Sequence, residues 1–169
     1  MRGIDEIEER ACTFPRGGRC LRGRCSAAAT PAEGLTTTIL AKSTVPPLDI
    51  RAHTRPADTW GVRIKTRGVS DGYVVDNVIA PGGTTGWHSH PGPSLIFVVR
   101  GAVTNYESDN PKCAGQVYQA GTSFVDQGGR DVHMLRNDGD VVAETIAVQL
   151  IPANASRRID AAAPRNCTS

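Results

Sequence analysis

The sequence predicts an all-β fold, a jelly-roll barrel of two stacked antiparallel sheets, and three observations carry that prediction. First, 18 glycines and 11 prolines punctuate 169 residues, which leaves only short runs between turn signals. Second, those runs are rich in β-branched and aliphatic residues, as in Leu95 to Val99 and Val141 to Ile151. Third, His88 and His90 stand two apart inside a glycine-flanked segment, and residues i and i+2 of a strand share one face. Both imidazoles can therefore converge on one point in front of a sheet. The length suits one domain with a sizeable core. A formal charge of +2 gives no argument for nucleic acid, and no run approaches the 18 apolar residues of a membrane span.

Residues 1–33 differ from the rest and read as a disordered extension. Ile4 to Arg10 could form a short helix. Arg10 to Arg24 holds five arginines and no acid, interleaved with Cys12 and Cys20, and Cys25 follows. Too little apolar surface is present to order the segment, and three cysteines without a neighbouring histidine make a poor zinc site. The small residues from Ser26 to Ala32 resemble the end of a signal peptide, but the apolar region that should precede them is missing. The barrel is expected over 34–152. Leu35 to Lys42 reads as a strand, Val45 to Leu48 as an extended connection, and Val62 to Arg67 as a half-exposed strand. His53 lies in a polar segment between them and is not expected to bind metal. Asp71-Gly72 reads as a hairpin turn into a strand from Tyr73 to Ala80. Further strands are expected at Ala102 to Glu107, Gln116 to Ala120, Thr122 to Val125 and Val132 to Arg136. Asp126 to Arg130 reads as a glycine-rich bend and Asn137 to Asp140 as a hairpin turn. Roughly nine strands result, with no internal repeat, and residues 153–169 form a tail packed on the barrel.

The stretch from Gly82 to Gly101 holds the chemistry. Its Gly82, His88, His90 and Gly101 fit the spacing G-x5-H-x-H-x3-E-x6-G, with Ser94 in the place of the glutamate. A second pattern, G-x5-P-x-G-x2-H-x3-N, is met more loosely by Gly121, Gly129, His133 and Asn137. Gln127 takes the place of its proline, and one extra residue precedes His133. These two patterns, in this order, resemble the two motifs of the cupin superfamily, and the chain looks like a small single-domain cupin. The resemblance implies a double-stranded β-helix and a metal held by His88, His90 and His133. Three neutral nitrogens suit a divalent transition metal, iron first, with copper, nickel, zinc, manganese or cobalt as further candidates.

Ser94 departs from the family pattern. A serine in place of a carboxylate predicts one more positive charge and one more open position at the metal. Within the cupins a three-histidine set resembles the thiol and diketone dioxygenases, which implies an oxidoreductase acting on a small organic substrate. A non-catalytic module binding metal or a small ligand, or a metal-dependent lyase or isomerase, are the alternatives, because cupin folds host unrelated activities. Ser94, Tyr73 and Gln149 could contact the substrate, and no residue is assigned a catalytic role. Trp87 alternates away from His88 and reads as a wall residue or a gate at the mouth. Gly82-Gly83 opens no helix, so it is not a phosphate loop. A cupin group with a C-terminal cysteine is similar around Arg158-Ile159-Asp160, which implies a disulfide between Cys113 and Cys167. Such a bond implies an oxidising, extracytoplasmic compartment. The expected partner is a small molecule, and a homodimer is left open.

Overall fold

The computed structural model describes residues 28–55 and 59–167. The helix expected from Ile4 to Arg10, the arginine-rich stretch and Cys12, Cys20 and Cys25 lie outside the described residues. Twelve strands form among the described residues: β1 Glu33–Val45, β2 Asp49–His53, β3 Gly61–Lys65, β4 Ser70–Thr84, β5 His88–Ser89 and β6 Ser94–Arg100. The rest are β7 Ala102–Glu107, β8 Gln116–Gln119, β9 Ser123–Asp126, β10 His133–Arg136, β11 Ala143–Pro152 and β12 Ile159–Asp160. No helix among the described residues is long and apolar enough to cross a membrane.

Ten strands make the jelly-roll barrel. One wall runs β1-β4-β11-β6-β9, the other β8-β7-β10-β5-β12, and the pairing of Arg136 with Thr84 joins them through β10 and β4. Period-two patterning explains which face each strand buries. On β6, Ser94, Ile96 and Val98 point inward while Leu95, Phe97 and Val99 face out. On β11, Ala143, Thr145, Ala147, Gln149 and Ile151 point inward. The core is built from Val75, Ile79, Ile96, Val98, Leu135 and Ile151, with Tyr118 stacked on Phe124 at 4.3 Å. Each such aliphatic side chain contributes roughly 1.5–3 kcal/mol on burial. The middle of β11 contributes only Thr145 and Ala147 to that interior, and these short side chains leave a cavity beside the core.

Three local expectations are corrected. Asp71 and Gly72 form no turn: they lie inside β4, paired with Thr44 and Ser43 on one side and with Ile151 and Leu150 on the other. Two full ladders outweigh the local preference of Asp-Gly, and the Asp71 carboxylate accepts from Thr44 Oγ1 and the Asn154 amide. Asp126 does not open a bend but ends β9, where it alternates inward with Phe124. The segment around His53 is a strand, β2, which pairs with β3 in a separate two-stranded sheet whose residues are all exposed.

The tail is tied down along its length. β12 pairs with β5, Ala29 bridges Ala162, and a disulfide joins Cys113 to Cys167 with the Cα atoms 5.2 Å apart.

Candidate metal centre

Strands β5 and β10 lie side by side with His133 paired to His88, and His90 follows two residues after His88. The three buried rings offer nitrogen atoms that all lie within 4.8 Å of one another. His88 and His90 are oriented by backbone carbonyls. Nδ1 of His88 lies 2.8 Å from the Gly86 carbonyl oxygen, and Nδ1 of His90 lies 2.6 Å from that of Arg157. A carbonyl only accepts, so both Nδ1 atoms carry the proton and both Nε2 atoms keep a free lone pair. Such outer contacts fix ring orientation at metal centres.

Burial drives all three histidines towards the neutral form. His88 falls to about 2, by burial first and then by the nearby charges of His133 and Arg158. His133 falls to about 4 by burial, and His90 is lowered by the same cause. Neutral imidazole is the form that binds metal.

Ser94 lies beside the histidines. It is fully buried, and its Oγ accepts a hydrogen bond of 2.9 Å from Gln149 Nε2. A carboxylate faces the histidines from the neighbouring strand: Asp126 is the cross-strand partner of Ser94 in the β6–β9 ladder. Its Oδ2 lies 3.9 Å from His90 Nε2, and its Oδ1 lies 3.7 Å from His133 Nδ1. The Gly128 amide donates to Oδ1 at 2.8 Å, whereas Oδ2 and His133 Nδ1 are buried without a partner. Burial raises the Asp126 pKa. Unanswered polar atoms of this kind are rare in folded proteins and call for a reason. Sequence reasoning missed Asp126 because it fills no motif slot. The period-two step from Phe124 was the available signal.

The loops that carry the two motifs are locked by backbone contact. The Gly129 amide donates to the His90 carbonyl at 2.6 Å. Gly128 has φ 71, and a side chain there would collide with the Gly92 carbonyl; one on Gly92 would collide with that of Leu150. Asn137 is a clamp, not a ligand: its amide donates to the Ile79 and Val141 carbonyls and its Oδ1 accepts from the Gly139 amide.

Beside the histidines lies a cavity of about 220 Å³. His88, His90, His133, Ser94 and Gln149 line it, joined by Arg157 and Arg158 from the tail. Tyr73 does not line it; its ring is in the core cluster, with Lys42 Nζ 5.2 Å from the ring centre. Trp87 is buried away from the cavity, its amide donating to Thr30 Oγ1 and its carbonyl accepting from the Ala161 amide. His53 is exposed on β2 and is not in the histidine cluster.

Residues 77–149 match the family model described as Cupin domain. No curated protein matches the chain. The polyketide cyclase RemF from Streptomyces resistomycificus superposes with a TM-score of 0.50 at 14% identity, over 88% of this chain and 91% of that one. That likeness bears on the fold. An oxalate oxidase in complex with glycolate gives 0.45 at 23% identity, over 69% of this chain and 51% of its own. A Klebsiella pneumoniae protein with a double-stranded β-helix domain gives 0.45 at 23% identity, over 53% of this chain and 74% of that one.

Proposed function

We propose, from the premise that this chain contains a cupin-superfamily domain, that the cavity is the active site of a metal-dependent enzyme of the dioxygenase type acting on a small organic substrate. One observation carries the reading: Asp126 Oδ2 and His133 Nδ1 are buried, unpartnered and turned towards one histidine cluster. Leaving such groups unpaired is costly, and a divalent cation between them would satisfy both. His88, His90 and His133 would hold the metal, with Asp126 supplying the negative charge that Ser94 lacks. Nitrogen donors with one carboxylate suit iron and its neighbours better than magnesium or calcium. When bound, the metal would supply Lewis acidity and, for a redox-active ion, oxygen chemistry.

The chain's own groups do the rest. The carbonyls of Gly86 and Arg157 keep His88 and His90 in one tautomer and orientation. Gln149, bonded to Ser94 and to Arg157 Nη1, presents its amide beside the metal position. Leu35, Ile96, Leu135 and Ala147 exclude water from the cavity and favour an apolar substrate body. The disulfide fits an oxidising, extracytoplasmic compartment.

Metal analysis of untagged protein, followed by oxygen-electrode assays with candidate substrates, tests the reading. Metal at one equivalent with substrate-dependent oxygen uptake is expected. Turnover that continues without oxygen would replace it by a lyase or isomerase, and metal binding without any turnover by a binding module.

A further inference from the structure

The two arginines that reach the cavity from the tail are not equivalent. Arg158 is neutralised: its Nε lies 2.6 Å from Asp160 Oδ1, and its Nη2 donates to the Thr85 carbonyl at 2.7 Å. Arg157 has no carboxylate within ion-pair distance among the described residues. Its one side-chain hydrogen bond among them runs from Nη1 to Gln149 Oε1 at 3.2 Å. A guanidinium has five N–H groups, so most of its donors face the cavity or solvent unanswered. Its neighbours there are the neutral histidines, and Asp126 is turned to His90 and His133. A half-buried cation in this position calls for an anion.

The rest of the cavity narrows the anion's identity. Leu35, Ile96, Leu135 and Ala147 give it an apolar lining, beside the polar Thr37, Asn77 and Thr85. Thr145 lies further along β11, and its buried Oγ1 has no partner. A volume of about 220 Å³ holds about seven waters, or roughly ten non-hydrogen ligand atoms. This lining suits a planar anionic head, a short apolar body and a further polar group. A guanidinium fork matches a carboxylate bidentately.

We propose that the cavity binds a short-chain carboxylate, anchored by Arg157 at the histidine end with its apolar body against Leu35, Ile96, Leu135 and Ala147. The proposal names the substrate class of the active site described above and rests on that reading for the metal beside the carboxylate. It needs no covalent step.

Calorimetric titration of metal-loaded protein with acetate, butyrate, hexanoate and octanoate, each beside its neutral amide, provides the test. The acids should bind saturably, more tightly with chain length until the cavity is filled, and at least roughly 10-fold tighter than the amides. Arg157→Gln should weaken hexanoate roughly 10- to 100-fold while metal content stays at the wild-type level, and Arg157→Lys should recover part of the loss. Equal binding of acid and amide, undiminished binding to Arg157→Gln, or no saturable binding of any acid would overturn the proposal. The two readings fail separately. Protein that takes up no metal yet discriminates acid from amide through Arg157 would sink the metal centre alone. Protein that holds metal without that discrimination would sink the carboxylate anchor alone.

Discussion

The two motif-bearing limbs of the barrel depart from the family pattern in opposite ways. The limb of β5 and β6 keeps the spacing and both histidines but places Ser94 where the acid belongs. The limb of β9 and β10 strays in spacing, yet it brings His133 and a carboxylate, Asp126. Ser94 and Asp126 are opposite one another in the ladder, and directly opposed side chains share a face within about 5 Å. The charge of such a site therefore belongs to the face and not to a slot in one strand.

The largest effects should come from the nitrogen ligands, which the two limbs share. Replacing His88, His90 or His133 by alanine should lower metal affinity by roughly 100-fold or more, whereas His53→Ala should leave it unchanged. Metal retained at full occupancy by His133→Ala would break the comparison at the second limb. Next come exchanges of the acid. Asp126→Asn should weaken metal binding by roughly 10- to 100-fold, and Ser94→Glu combined with Asp126→Ser should restore most of it. Ser94→Glu alone sets two carboxylates face to face, and its gain should be smaller. Asp126→Asn should also melt at a higher temperature than wild type when both are stripped of metal. Burial raises the Asp126 pKa, so its charged form lowers stability at neutral pH.

Acid provides a third test. The folded-state values of His88 and His133, about 2 and about 4, lie below the unfolded value near 6.5. As pH falls below about 6.5 the unfolded chain takes up protons first, so stability is complete above that pH and declines towards pH 4 for His133 and further, towards pH 2, for His88. Metal-stripped protein should lose on the order of 1–2 kcal/mol per histidine between pH 7 and pH 5, read from denaturant midpoints. A flat profile would mean the rings are less buried than the structure shows. The smallest effect on the metal should come from Cys113→Ser. Loss of the disulfide, which closes 54 residues of sequence separation, should lower stability by about 2–4 kcal/mol. Metal affinity should fall only a few-fold, through the tail carbonyl of Arg157 that orients His90.

The fold was legible because alternation and turn chemistry agree along most of the barrel, as in Leu95 to Val99 on β6. Asp71-Gly72 misled because a local turn preference says nothing of the two ladders that hold it extended. The three histidines were legible because their spacing is local to each strand. Asp126 and Arg157 were not, for one shared reason. What places Asp126 is its register against β6, and what places Arg157 is the docking of a tail 67 positions from His90 in sequence. The alternation from Phe124 gives the face Asp126 takes, but not its partner across the ladder.

The tail has a consequence for exchange with solvent. β12 meets β5 through two residue pairs, and the Ala161 and Thr30 amides complete its hydrogen bonds. A strap this short should open by local fluctuation before the barrel unfolds, with the disulfide holding its far end. Each opening withdraws both the Arg157 guanidinium and the carbonyl that holds His90. A molecule seated between Arg157 and the histidines binds only the closed form and must slow that opening. Deuterium uptake at the Ala161 amide should therefore count how often the cavity is vacant.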